Sequence, residues 1–349
     1  MESRQHPYLD LPPEAFWRNV SSPESMAQLA TRPEWLQRDI LVATAGSCFA
    51  QHVGREMRTR GFRLLDVEPP PWFLTQDEWR RFGYGLYSGR YGNIYSAGQL
   101  KQLVAEALGE HPWKTVVWER DGAFYDAIRP SVTPNGLSDS ELVRMSRKHH
   151  LQQVAKMIEE MEGLVFTLGL TEQWVDGGSG RVLPTAPGVL AGRFDDSCIS
   201  FVNASYNDVV EALSRTINMI RSVNSNVRFL LTVSPVPLAA TATGVHVVQA
   251  TQYSKAVLRA AAGYLSSVLD YVDYFPSYEI VTNNHGPEYF YEDDRRSVSP
   301  RGVSLVMEQL FGDWEAPKSI QLGSTIPGGM EDAREETECE GVICDEDHI

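Results

Sequence analysis

A chain of 349 residues with a formal net charge of −15 is long enough to bury one large core and too acidic to be expected on a nucleic-acid backbone. Hydrophobic residues at 42% and aromatics at 10% are ordinary for a globular protein, and no apolar run reaches the length of a membrane span. The N-terminal stretch MESRQHPYLDLPPEAF has neither a basic n-region nor an apolar h-region, so a cytoplasmic protein is expected.

Residues 1 to 38, rich in Pro and Trp and without a sustained period, predict an irregular arm. DILVATA (39 to 45) has strand length, and in CFAQHVGREMRTRG the residues Phe49, Val53 and Met57 recur at helical spacing before Gly61. That pattern predicts a buried strand, a tight turn at Gly46-Ser47 and an amphipathic helix opening at Cys48. Arg63 to Val67 reads as a short strand, Ser96 as the N-cap of a helix through Leu108, and TVVWERDGAFYDA as a hairpin about Asp121-Gly122. SDSE (138 to 141) reads as a capping box for a helix to about Glu162, followed by the strand GLVFTLG ending at Gly169. An irregular insert, DGGSGRVLPTAPGVLAGRFDD, precedes a helix from Asn207 to Val223, the strand RFLLTVSP, a helix from Gln249 to Ser267 and the strand VDYF. The last helix runs from the Ser299-Pro300 cap to Phe311.

Strands alternating with helices predict one α/β domain over 39 to 312, its parallel sheet covered on both faces. Residues 313 to 349 carry eleven Asp/Glu against two Lys/Arg and are expected to be a disordered acidic tail of unknown partner. Of the four cysteines, Cys48, Cys198, Cys339 and Cys344, the last two have no second pair to complete a zinc site, so neither a metal nor another cofactor is expected. In a parallel sheet ligands bind at the C-terminal strand ends. Gly46-Ser47-Cys48, Gly169-Leu170-Thr171-Glu172 and Ser234-Pro235-Val236-Pro237 fall there.

At the first of these, Gly46 permits a tight turn and close substrate approach, while the helix start offers N–H groups and a favourable dipole to an oxyanion. Ser47 is therefore a candidate nucleophile; helix capping is the equally simple alternative. Cys48 is a second candidate, set against its common use as a small buried filler.

The segments GSCFA, YGNIY, TLGLTE-x-W, LTVSPVPL, HVVQATQYSKAVLR and YFPSYEI, in that order between about Leu41 and Phe311, resemble the GSCFA-domain family, a branch of the SGNH (GDSL-like) hydrolase superfamily. The resemblance implies a three-layer α/β/α sandwich with a central, mainly parallel sheet and Ser47 as nucleophile. It also implies three oxyanion donors: the serine's own N–H, a glycine and an asparagine. Gly92 matches the glycine, with Asn93 beside it in the candidate set, and Thr171 stands where the asparagine is expected. The superfamily's late D-x-x-H reads Asp294-Arg295-Arg296-Ser297 here, with serine in place of histidine.

A base must then come from elsewhere. Of eight histidines, His6 and His348 are terminal, His52 lies in the helix after Ser47, and His111, His149 and His150 sit in polar, exposed contexts. His246, in a loop over the sheet edge, and His285, near the altered motif, remain. Glu172 is placed to orient His246 or act as an acid. Ser254-Lys255 is a further pair, although a helical lysine is expected in solvent. The expected function is a serine esterase or O-acyltransferase acting on O-acyl, chiefly O-acetyl, groups of a small-molecule or polysaccharide ester. The alternative is a catalytically degenerate binding module on the same fold.

Overall fold

The computed structural model describes residues 6–19, 29, 32–110, 113–283, 290–312, 342, 343 and 345. The chain forms two compact units, a larger one from 33–278 with 342–349 and a smaller one from 1–32 with 279–341.

The larger unit is built on a parallel sheet of β1 (Val42–Gly46), β4 (Gly163–Leu168), β8 (Arg228–Val233) and β9 (Val272–Phe275), in the order β1-β4-β8-β9. β1 and β4 are buried at every position, as expected of strands covered on both faces, which need continuous rather than alternating apolar residues. The register pairs Gly46 with Thr167 and Leu168 with Val233, so Ser47, Gly169 and Ser234 emerge beside one another past the strand ends. Around the sheet run α1 (Ala50–Thr59), α2 (Gln76–Arg81), α3 (Ala97–Ala107), α4 (Ser140–Glu160), α5 (Tyr206–Val223) and α6 (Val247–Val268). Ser96 and Ser205 open α3 and α5 with full capping boxes. Phe166, Phe229, Leu213 and Leu258 belong to the one large core these elements share. The architecture is the expected α/β fold with a central parallel sheet.

Several boundaries differ from the sequence reading. α1 starts at Ala50, since Ser47 to Phe49 form a turn first. Asp139, not Ser138, caps α4, its carboxylate accepting the Glu141 N–H. Arg63 to Val67 makes only an isolated parallel bridge, at Val42 and Leu64. The hairpin of β2 (Val117–Arg120) and β3 (Ala123–Asp126) forms as expected, with Asp121 and Gly122 both at positive φ. Within the insert expected to be irregular β6 (Arg181–Leu183) forms, and with β5 (Glu172–Asp176) and β7 (Ile199–Asn203) on either side it makes an antiparallel sheet. Its strands are only three to five residues long, too short to show a period.

In the smaller unit the arm forms two 3-10 turns, Pro13–Ala15 and Trp17–Asn19. α7 (Ser277–Thr282), which the sequence reading did not expect, crosses the boundary between units. α8 (Pro300–Phe311) is capped as expected, Ser299 Oγ accepting the Gly302 N–H. Of the tail, 313–341 lie outside the described residues; Val342, Ile343 and Asp345 belong to the larger unit. Among the described residues no helix is long and apolar enough to cross a membrane, and no cluster of metal-binding side chains occurs.

A buried charge network ties α3, α4, β3, β6 and the loop after α1 together. Glu106 accepts hydrogen bonds from Arg147 and Arg181, Asp126 from Arg129, and Glu68 pairs with His150 and the Arg90 N–H. His150, expected in solvent, is fully buried. Burial and the charge of Arg129 push it down to about 4, so at neutral pH it is uncharged and donates Nδ1–H to Glu68. Burial alone would raise Glu68, but the bond from His150 and the charge of Arg129 hold it down at about 2.

Both groups bind protons more readily in the unfolded chain, so acid destabilises the fold. Stability is expected to be full above 6.5, to fall as pH drops from 6.5 towards 4 through His150, and to fall further from 4.5 towards 2 through Glu68. Urea unfolding over a pH series checks this. Glu106→Gln, which leaves two arginines buried without their carboxylate, is expected to lower the unfolding free energy by about 3–5 kcal/mol.

Candidate active site

β1 ends in Gly46 at φ +143°, where an added Cβ would lie 2.5 Å from the Thr167 carbonyl oxygen and 2.7 Å from its nitrogen. Only glycine fits so close an approach. The next residue, Ser47, is buried at 2% exposure. Its N–H donates to Thr167 O at 3.0 Å and its carbonyl accepts from Ala50 N–H and Tyr87 Oη. Ser47 Oγ has no hydrogen-bond partner among the described residues. It does not cap α1, whose N-cap is Phe49. Gly169 presses on it: a Cβ there would sit 3.0 Å from Ser47 Cβ. Ser47, Cys48, Tyr95, Gly169 and Ser234 line a cavity of about 10 Å³, room for about one water. Cys48 packs with Tyr95, Leu170, Val236 and Val342, the setting of an apolar filler.

The groups that the resemblance implied as oxyanion donors are engaged as follows. Ser47 N–H is engaged by Thr167. Thr171 is turned away, its N–H donating to Ser254 Oγ and its hydroxyl to Asn203 Oδ1. Gly169 N–H donates to Tyr95 O. Gly92, at φ +69°, makes the turn that presents Asn93. Asn93 Oδ1 accepts from Tyr87 Oη at 2.5 Å and Gln51 Nε2 at 3.1 Å, which fixes the amide and aims Nδ2 the other way. There Nδ2 meets the Ile343 carbonyl and the Asp345 carboxylate, each at 3.1 Å. Burial holds the Tyr87 phenol well above its ordinary value, so it stays a donor. Gln51, Tyr87 and Tyr95 were missed as site residues; the available signal was a glutamine on the apolar face of α1, four residues after Ser47.

The candidate bases fall in different places. His246 is exposed and caps α6, its Nδ1 accepting the Val248 N–H at 3.2 Å. Glu172 does not orient it; its carboxylate accepts from Thr241 Oγ1 and Ala242 N–H and pins the loop leading there. His285 lies outside the described residues, as do His111 and His348. Burial and Arg55 push His52 down to about 4. Asp294, in the smaller unit, closes a local turn, accepting from Ser297 Oγ at 2.6 Å and from two backbone N–H groups. Lys255 reverses its expected solvation: at 1% exposure, its Nζ donates to the Gly169 carbonyl at 2.7 Å.

A sequence model described as the GSCFA family matches residues 41–310. The chain belongs to the GSCFA family. No curated protein resembles it in sequence beyond chance. Among solved structures, the GSCFA chain is similar to a carbohydrate esterase family 3 protein from Talaromyces cellulolyticus, with 9% identity, a TM-score of 0.37, and 78% of this chain and 95% of that one covered. It is also similar to a protein described as an acylhydrolase from Bacteroides fragilis, with 9% identity, a TM-score of 0.30, and 85% and 96% covered.

Two substitutions separate fold from site. Gly46→Ala is expected to destabilise this GSCFA chain by a few kcal/mol, because the new Cβ meets backbone that cannot yield. Ser47→Ala is expected to leave the melting temperature unchanged or slightly higher, since it removes a buried hydroxyl without a partner. Calorimetry of both variants checks the contrast.

Proposed function

We propose that this protein is a serine-dependent esterase or acyltransferase with Ser47 as nucleophile. One observation carries the reading: a buried serine hydroxyl at a strand-to-helix turn with no hydrogen-bond partner among the described residues, a costly feature. Ser47 Oγ attacks the ester carbonyl carbon and its proton passes to the Lys255 amine, whose Nζ bonds the carbonyl of Gly169, the residue that presses on Ser47. Asn93 Nδ2 and Tyr95 Oη hold the oxyanion. The tetrahedral adduct expels the alcohol, which takes the proton, and water or an acceptor alcohol then releases the acyl group.

For the substrate we infer an O-acyl group, chiefly O-acetyl, on a carbohydrate. A cleft of about 230 Å³ that shares Leu170 with the serine cavity presents Ser96, Lys101, Gln173 and Asp208, groups suited to hydroxyl-rich ligands. A cytoplasmic placement favours acyl transfer during biosynthesis over degradation outside the cell. The second reading, a binding module, is favoured by the serine at position 297, whose hydroxyl donates to Asp294 where a histidine would serve catalysis.

Turnover of p-nitrophenyl acetate and labelling by a fluorophosphonate test the assignment. Ser47→Ala is expected to abolish both. Lys255→Met is expected to lose about a hundredfold or more in kcat, without rescue by Lys255→Arg, which cannot deprotonate. His246→Ala is expected to stay close to wild type; if it falls instead while Lys255→Met does not, the base is the histidine. A wild type that neither turns over nor labels overturns the enzyme reading in favour of the binding module.

A further inference from the structure

Three residues near the end of the chain lie against the Ser47 site. Val342 packs on the Cys48 and Tyr95 side chains. Ile343 is clasped through its backbone by one side-chain amide: its N–H donates to Gln51 Oε1 at 3.0 Å and its carbonyl accepts from Gln51 Nε2 at 2.7 Å. Asp345 is 2% exposed; its N–H donates to Tyr95 Oη at 3.0 Å, and its carboxylate accepts from Asn93 Nδ2 at 3.1 Å and Tyr95 Oη at 3.4 Å.

A two-point clasp on a peptide unit reads main chain as a sheet edge does, regardless of side chain. A carboxylate is buried only where charge-assisted donors receive it. The groove beside Ser47 thus has the chemistry of a site for a peptide with an acidic residue two positions beyond the clasped one.

We infer that this groove is a peptide-binding site whose occupant is the chain's own segment around Val342, Ile343 and Asp345, and that the seated segment keeps the enzyme latent. The Asp345 carboxylate takes the same Asn93 and Tyr95 donors that the oxyanion needs, so an ester must displace it to react. The consequence for turnover rests on the proposed function; the occupancy of the groove does not. Being tethered, the segment competes at an effective concentration on the order of millimolar, so an added peptide meets a filled groove in the wild type.

The test uses full-length protein with Ile343→Pro and Asp345→Lys together, which removes the N–H held by Gln51 and reverses the charge facing Asn93. A fluorescent peptide of residues 341–349 is titrated by anisotropy under reducing conditions. The double variant is expected to bind it at least tenfold more tightly than wild type, and a peptide carrying the Asp345→Ala change at least tenfold more weakly. Ester turnover is expected to rise tenfold or more in the double variant and to fall again as peptide is added. Failure of the peptide to bind the double variant, or equal binding to both proteins, overturns the inference. Selective binding without turnover in either protein upholds the groove and its occupant and overturns the esterase reading.

Discussion

The site depends on how closely two backbones approach at the end of the sheet. Gly46 reaches φ +143° against Thr167, and that contact turns the chain from β1 while leaving Ser47 N–H in the ladder with β4. The serine is consequently fixed by main chain alone. Its hydroxyl has no part in holding the turn, and Gly169 closes on it from the neighbouring strand end. A side chain at either glycine would force apart the strands that define the site.

A second constraint follows from burial. Asn93 lies in the interior with Tyr87 and Gln51, and a buried amide must satisfy both its acceptor and its donor ends. Tyr87 and Gln51 take the acceptor, so the donor end has one direction left, towards Ile343 and Asp345. The same geometry makes a seat for a carboxylate supplied by the chain itself. Lys255 and its neighbour bind the same loop: a buried polar head is expensive unless it is bonded, and here Lys255 Nζ holds the Gly169 carbonyl while Ser254 receives the Thr171 N–H.

Much of the fold was legible from local pattern. The apolar runs of β1, β4, β8 and β9 and the serine-headed helices α3 and α8 carry signals confined to a few neighbouring residues. The small antiparallel sheet of β5 to β7 was not legible, because strands of three to five residues are too short to show a period. His150 and Lys255 misled for a related reason: both lie in polar local sequence, and the partners that bury them, Glu68 and Gly169, are more than eighty residues away in the chain.

The sequence by itself determined the parallel α/β framework, the glycine-serine turn at its edge and the family, since each resides in contiguous residues or ordered motifs. Tertiary structure alone decided which way each polar group points. It engaged Ser47 N–H with Thr167 and Thr171 with Ser254 and Asn203, made His246 the cap of α6, turned the Asn93 amide towards Ile343 and Asp345, and buried Lys255. The physical reason is that a hydrogen bond's partner is set by distance and angle in space, and neither is encoded in spacing along the chain.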